Sequence, residues 1–461
     1  MTHIVIVGGG IAGLTIANAI RWRDPNVHLT VLESGTRTGG YVRTDQIDGY
    51  TCEAGPDGFL DNAPETLRLV RQVGLERRLL PSNDAARKRY IFRHGRLHQV
   101  PLSPQELLTS GLLSPMGKMR LLCEPLSRKR PDGDETIHDF ATRHIGEEAA
   151  SVLVDSMVSG IFAGNAQRLS LRACFPRMFD LESKHGSLVR AMIATRKQRT
   201  AADAPAAPAG TLTSFITGMG ELVDALTARL ADVIRLKTRA LDVRRNLESG
   251  RWKVLTTAGR LDADAVVLAG PAAESSELLR TFDRRLAGDL DDIPTAPLAV
   301  VALGYDMREI GPLDGFGFLV PRREGIRTLG ALWETSIYPH RAPEGKALLR
   351  VMVGGAGDRA AVTLNDEELL QTVHSDLEQT MRLTATPEFV RITRHHRGIP
   401  QYEHGHLARL ARIDRRVADH PGLHLAGNSY RGVSMNACIA DADRVAEEVF
   451  ALTARSAALA S

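Results

Sequence analysis

The feature that most constrains this chain is its beginning. His3 to Gly8 form a short, fully apolar run that breaks at three consecutive glycines, and Ile11 to Ala19 resume with the content of a packed helix. Gly8, Gly10 and Gly13 thus stand in GxGxxG spacing between a predicted strand and a predicted helix. The first glycine permits a tight turn, the second lets a pyrophosphate approach the backbone, and the third lets helix and strand pack closely. A second predicted strand, Val27 to Glu33, ends on an acid twenty residues after Gly13. A carboxylate there accepts hydrogen bonds from a ribose diol and repels a 2′-phosphate, so NADP is disfavoured. Strand, turn, helix and acid in register predict a dinucleotide fold whose phosphates meet the helix N-terminus.

A chain of 461 residues suggests about three domains or one large discontinuous unit. With 43% hydrophobic and 25% charged residues it is neither disordered nor of low complexity. The formal net charge of +3 is too small to imply nucleic-acid binding. Cysteines 52, 123, 174 and 438 show neither CxxC nor metal-ligand spacing, which excludes a zinc ribbon, a dithiol redox motif and a disulfide scaffold, and fits a reducing compartment. The N-terminus lacks a cationic region and a cleavage site and reads as a strand rather than a signal peptide. No run of eighteen apolar residues occurs, so the expectation is a soluble or monotopic protein.

Between Pro101 and Arg199 the periodicity is helical, as at Ile137, Phe140, Ala141 and Ile145. Thr200 to Gly210 is Ala/Pro-rich and reads as a linker or exposed loop. Strand patterns return at Trp252–Thr256, Ala265–Ala269, Leu298–Tyr305, Phe316–Val320, Thr328–Trp333 and Leu348–Val353. A helix from Asp366 to Arg382, strands at Phe389–Thr393 and Leu423–Ala426, and a closing helix from Asn436 complete the chain. The basic run Arg128, Lys129, Arg130 reads as a solvated loop, with a substrate- or membrane-attracting patch as the alternative.

The residues just past Glu33 separate flavin from nicotinamide. Arg37, Gly39 and Gly40 complete an ExxxRxGG string: the arginine offers a cation near a pyrophosphate and the glycine pair permits close backbone approach. The string resembles the one that marks FAD enzymes of the amine-oxidase and protoporphyrinogen-oxidase group. Near the C-terminus a predicted strand runs into a Gly-rich loop, Gly427 to Gly432, and then a helix whose free N–H groups suit an anionic reduced flavin ring. That loop has no cysteine to hold a flavin covalently, so FAD is expected to be non-covalent. No second GxGxxG and no CxxC is present, which points to oxygen or a quinone as the electron acceptor.

GGYVRT at 39 to 44, EAGPDGFL at 53 to 60, SGIFAGNAQRLSLRACFP at 159 to 176, GFGFLVP at 315 to 321, IPQYEHGH at 399 to 406 and AGNSYRGVSMNACI at 426 to 439 make the resemblance specific. Over nearly its whole length the chain resembles the oxygen-dependent, FAD-containing protoporphyrinogen/coproporphyrinogen oxidase family. The resemblance implies an α/β architecture: a Rossmann-like FAD-binding domain of the glutathione-reductase/amine-oxidase type, a mixed-sheet substrate domain and a helical insertion. The expected division is 1–62, 211–295 and 403–461 for FAD, 63–102 and 296–402 for substrate, and 103–210 for the insertion.

By the same resemblance, Gly8, Gly9, Gly10, Ile11, Ala12, Gly13, Glu33, Ser34, Arg37, Gly40 and Tyr41 contact FAD. So do Gly55, Pro56, Asp57 and Gly58, and Gly427, Val433, Ser434 and Met435. Ala240 would meet the adenine through its backbone, where the family usually has valine. Arg89 would pair with a propionate of the tetrapyrrole, and Phe316, Leu319 and Leu332 would wall the macrocycle. Gly160 would let backbone approach it. Ser159 stands where some members have arginine, which leaves a second propionate anchor open. The implied reaction is six-electron oxidation of protoporphyrinogen IX by oxygen in haem biosynthesis, with no metal and no general base assigned; His138, His185, His395 and His396 are candidates for proton handling, with a surface or structural role the preferred reading of each. Coproporphyrinogen III oxidation is the alternative, followed by an amine oxidase or a non-catalytic flavin and tetrapyrrole carrier. The insertion resembles a membrane-associating region; a cytoplasmic protein, peripheral contact with the inner face of the cytoplasmic membrane, and a homodimer are the accompanying expectations.

Overall fold

The computed structural model describes residues 2–127, 133–199, 210–246 and 248–460. The Arg128–Arg130 run and all but the last residue of the Ala/Pro-rich segment lie outside the described residues.

The apolar N-terminal strand, His3–Val7, lies at the centre of a five-stranded parallel sheet, between His28–Leu32 and Ala265–Leu268, with Ile234–Arg235 and Leu423–Leu425 at the edges. Both faces of this sheet are covered, which is why its strands are continuously apolar rather than alternating. Ile4 and Ile6 point towards the helices Ile11–Arg23, Gly220–Arg229 and Met435–Ala460, while Val5 points towards Trp252, Val254 and Leu286 on the other side.

The second sheet has seven strands in the order Phe389–Pro400, Thr295–Asp306, Lys346–Gly354, Thr328–Trp333, Gly317–Leu319, Tyr90–Arg93 and Arg96–Gln99. It is antiparallel except where Gly317–Leu319 runs parallel to Tyr90–Arg93. One face packs under the helix Asp366–Met381 through Leu369, Val373 and Leu377. That helix starts with a capping box between Asn365 and Glu368, the reciprocal arrangement that satisfies two free N–H groups at once. The other face carries Leu319, Leu332 and Arg350, and meets the Asp155–Phe162 helix through Leu319 and residues 55–57 through Arg350.

A helical layer covers the far edge, from Pro104–Thr109 to Leu188–Arg199, with Ser103, Ser114, Thr136 and Ser170 as side-chain N-caps. The expected helical character of this stretch is therefore found.

The predicted strands are found within a few residues of their expected ends, the largest extensions being Thr295–Asp306 and Phe389–Pro400. The hairpins Thr44–Ile47 with Tyr50–Glu53 and Tyr90–Arg93 with Arg96–Gln99 were not anticipated, nor was the small sheet of Phe59–Leu60, Leu212–Phe215 and Leu79–Pro81. These strands are two to four residues long, too short for alternation to stand out from loop.

Candidate active site

The glycine turn closes as its spacing requires. Gly8 has φ +112°, and a Cβ on Gly13 would stand 2.0 Å from the Gly8 carbonyl oxygen, so a side chain there would separate helix from strand. Gly10 is the N-cap of the Ile11–Arg23 helix and uses no side-chain cap, which leaves the first N–H groups of the helix to face an anion. Glu33 is held beside this turn: its carboxylate accepts the Gly9 amide at 3.0 Å and the Gly35 amide at 2.7 Å. Lys237 and Thr238 donate to the carbonyls of Gly35 and Glu33 at 2.8 and 2.9 Å, and this brings the start of the Ala240–Arg245 strand alongside. Ala240 is buried among Val5, Leu32 and Leu268.

The string after Glu33 folds back onto the turn. The Gly39 amide donates to the Gly9 carbonyl at 2.8 Å, and the Gly10 and Gly40 backbones touch. Arg37 donates to the carbonyls of Thr38 and Gly40, both at 2.8 Å, so it also stiffens its own loop. Ser34 is exposed beside Glu33. A Cβ on Gly55 would come 2.1 Å from the Tyr41 carbonyl oxygen, which places Gly55 directly against this loop, whereas Gly58 lies against the Thr213 carbonyl and Tyr338. Tyr41 donates its hydroxyl to the Arg397 carbonyl and sits edge-on to His395, whose Nε2 lies 2.7 Å from the Ala54 carbonyl. Burial lowers the His395 pKa, so this ring is neutral.

The C-terminal loop closes the same crevice. Gly427, with φ +107°, lies against Ala12 and the Ala269 backbone, beside Gly8. Ser434 caps the last helix by accepting the Ala437 amide at 3.2 Å, Met435 enters the main core, and Val433 packs on the helical layer. The sequence-predicted residues from Gly8 to Gly427 thus converge on the carboxyl ends of the parallel strands, where open α/β sheets bind ligands. A glycine cradle that side chains would fill, a helix N-terminus and a backbone-held carboxylate fit a flavin dinucleotide.

The residues expected on the substrate side fall into two contacts. Arg89 is exposed and its guanidinium lies over the Phe316 ring, 5.1 Å from the centroid; among the described residues no carboxylate pairs with it. Phe316 and Leu332 share a cluster with Ile337 and Tyr338. Leu319 reaches across to the Asp155–Phe162 helix, where a Cβ on Gly160 would be 2.7 Å from its Cδ2. Ser159 is buried, and its hydroxyl has no hydrogen-bond partner.

The family described as flavin containing amine oxidoreductase matches residues 11–450. The chain belongs to this family. The oxidoreductase is 31% identical over 452 residues to the coproporphyrinogen III oxidase of Bacillus subtilis (strain 168), covering 95% of each chain. It is equally 31% identical over 476 residues to protoporphyrinogen oxidase 1, chloroplastic, of Arabidopsis thaliana, covering 97% of this chain and 88% of that one. A crystal structure from Exiguobacterium sp. 255-15, provisionally named protoporphyrinogen oxidase, superposes with a TM-score of 0.85 at 30% identity and covers 97% of this chain and 98% of its own. A flavin is therefore the cofactor of this oxidoreductase, and its fold is that of the family.

One group of residues in this amine oxidoreductase escaped sequence reasoning. Arg350 bridges Asp57 at 3.1 Å and Glu334 at 3.6 Å, and also donates to the Gly55 carbonyl. Arg341 pairs with Glu53 at 3.0 Å and donates to the Ser214 hydroxyl at 2.8 Å. All five ionisable groups are buried. Burial, and next the Asp57 charge, push the Glu334 carboxyl far above the usual carboxylate range; burial raises Glu53 to about 7. The available signal was a lone arginine at the centre of an otherwise apolar strand, KALLRVMVG.

Proposed function

We propose that this oxidoreductase removes six electrons and six protons from protoporphyrinogen IX to give protoporphyrin IX, in haem biosynthesis, with three molecules of oxygen reduced to three of hydrogen peroxide. The bound flavin, as non-covalent FAD, supplies a two-electron acceptor that takes hydride from carbon and passes its electrons to oxygen. The observation that carries this reading is a guanidinium without a carboxylate partner among the described residues, lying on the Phe316 ring, with Phe316 and Leu332 in one apolar cluster and Leu319 against Gly160. That suits a flat, greasy macrocycle with carboxylates on one edge.

The chain's own contributions derive from this placement. Arg89 would hold a propionate by a forked hydrogen bond, and the Phe316 face keeps the fork in place. Leu319, packed on Gly160, would present an apolar surface to the macrocycle and keep water from its reacting edge. Gly8 to Gly13, Glu33, Tyr41, residues 55–58 and Gly427 to Met435 would seat the dinucleotide. The reading carries with it the division 1–62, 211–295 and 403–461 for FAD, 63–102 and 296–402 for substrate, and 103–210 for the insertion.

A second reading, coproporphyrinogen III as substrate, is favoured by the equal identity to relatives named for either activity. It differs in carrying four carboxylates, whereas Ser159 stands where some members of the family have an arginine. Anaerobic stopped-flow bleaching of the flavin by each porphyrinogen at matched concentration tests the choice. Faster bleaching by protoporphyrinogen is expected; preference for coproporphyrinogen reverses the assignment, and bleaching by neither removes both.

We also propose peripheral contact with the inner face of the cytoplasmic membrane. Leu102, Leu108, Met116, Met119 and Leu122 are exposed on the helical layer, and among the described residues no helix is long and apolar enough to cross a membrane. Co-sedimentation with anionic lipid vesicles is expected, and its absence overturns the proposal.

A further inference from the structure

The string IPQYEHGH has no part in the proposed reaction, yet it runs between the two halves of the site. It leaves the seven-stranded sheet at Pro400 and enters the His406–Ala418 helix. On the way the Ser170 amide donates to the Tyr402 carbonyl at 2.8 Å, and the His404 amide to the Arg168 carbonyl at 2.7 Å.

Gln401 is buried, and its amide nitrogen donates to the carbonyls of Phe162 at 2.8 Å and Ile399 at 3.0 Å. Phe162 ends the helix that carries Gly160, and the last carbonyls of a helix have no partner within it. The bond therefore satisfies a free carbonyl and fixes the end of the substrate wall. A Cβ on Gly164 would stand 2.6 Å from Gln401 Oε1, so glycine is what lets the amide seat there.

The next side chain faces the other half. Tyr402 is 1% exposed; its hydroxyl donates to the Asn428 carbonyl at 2.5 Å and accepts the Gly432 amide at 2.8 Å. One phenol thus fastens both ends of the C-terminal glycine loop. Its ring lies flat on His406, with centroids 4.1 Å apart and planes at 14°. His406 Nε2 is 3.0 Å from the Tyr430 carbonyl, an acceptor only, so that nitrogen carries the proton and secures the middle of the same loop.

We propose that Gln401 and Tyr402 form a strap that sets the C-terminal loop at a fixed distance from the Gly160 wall, making both of them positioning residues for hydride transfer. The proposal rests on the proposed function, in which that loop faces the flavin and Gly160 faces the substrate. Hydride transfer depends steeply on separation, and a misplacement of about 1 Å can cost on the order of a hundredfold in rate. Adjacent residues in an extended segment present their side chains to opposite sides, so one strap can hold two walls without a linker between them.

The test uses the flavin-loaded enzyme as wild type, Tyr402→Phe, Gln401→Met and the double variant. Three quantities are read: the visible circular dichroism of the bound flavin, the limiting anaerobic rate of flavin reduction, and the porphyrinogen concentration giving half that rate. Tyr402→Phe is expected to keep its flavin, shift the dichroism and lower the limiting rate about tenfold, with half-saturation changed less than about twofold. Gln401→Met is expected to lower the same rate without altering the dichroism, and the double variant to lose little more than the worse single one. An unchanged rate and dichroism in Tyr402→Phe, or single losses that multiply in the double variant, overturns the proposal. Should Tyr402→Phe not fold, an unchanged limiting rate in Gln401→Met overturns it alone. Wild-type flavin that neither porphyrinogen bleaches removes the functional reading instead; an unshifted dichroism in Tyr402→Phe then overturns the flavin half of the strap.

Discussion

Gly160 and Leu319 meet where a helix crosses a strand, with only 2.7 Å between the position of a Cβ on the glycine and the leucine Cδ2. The obstacle is the tip of a flexible side chain rather than backbone, so Gly160→Ala should fold. Leu319 would be displaced. The expected outcome is a melting temperature within a few degrees of wild type, the stability change being about 1 kcal/mol, and a porphyrinogen half-saturation raised severalfold. Thermal melts and steady-state kinetics check both halves.

Arg89 contributes to the reaction as proposed and little to the fold. Because it is exposed and paired only with the Phe316 ring, Arg89→Ala should change stability by less than about 0.5 kcal/mol. Loss of a charged hydrogen bond to a propionate costs about 1.5–3 kcal/mol, or roughly ten- to a hundredfold in kcat/KM. Arg89→Lys should recover only part, because an ammonium lacks the fork. Equal activity in all three enzymes removes the assigned role.

Arg350 and Glu334 should respond oppositely to substitution. Arg350→Met leaves the buried Asp57 charge without its partner and frees the Gly55 carbonyl, a loss of about 3–5 kcal/mol with reduced flavin content. Burial pushes the Glu334 carboxyl far above the usual carboxylate range, which favours its neutral form, so the nearly isosteric Glu334→Gln should cost less than about 1 kcal/mol with flavin retained. Denaturant titration and the flavin-to-protein absorbance ratio decide. A costly Glu334→Gln shows that the carboxyl is ionised.

His406 gives the strap an acid limit. Burial lowers its pKa to about 4, from 6.5 for the free side chain. Between these values the unfolded chain takes up a proton that the folded chain refuses, so this contribution to stability is complete above about pH 6.5 and declines as pH falls towards 4. The whole loss is on the order of 3 kcal/mol. Urea midpoints measured across this range should fall more steeply for wild type than for His406→Gln, which keeps a donor for the Tyr430 carbonyl. Parallel profiles contradict this.

The glycine turn and the carboxylate beside it were legible in the sequence because their determinants are local. Whether Gly13 can pack on Gly8 depends on a few intervening residues of backbone, and Glu33 reaches the Gly9 amide from the end of the adjoining strand. The proposed substrate roles of Arg89, Phe316 and Gly160 rest on resemblance alone, since these residues obey no spacing rule that links them. The short hairpins were missed because two to four residues carry too little periodicity.

The sequence by itself determined the glycine turn, the acid that faces it, the apolar parallel strands and the helical layer, because steric and hydrophobic periodicity act over neighbouring residues. Only the tertiary structure decided which buried polar groups satisfy one another. Arg350 finds Asp57 across 293 positions and Gln401 finds Phe162 across 239, while Tyr402 fastens a loop in another sheet. A buried charge or hydrogen-bonding group is tolerable only with a partner, and that partner is set by how the two sheets close on each other, which no local pattern encodes.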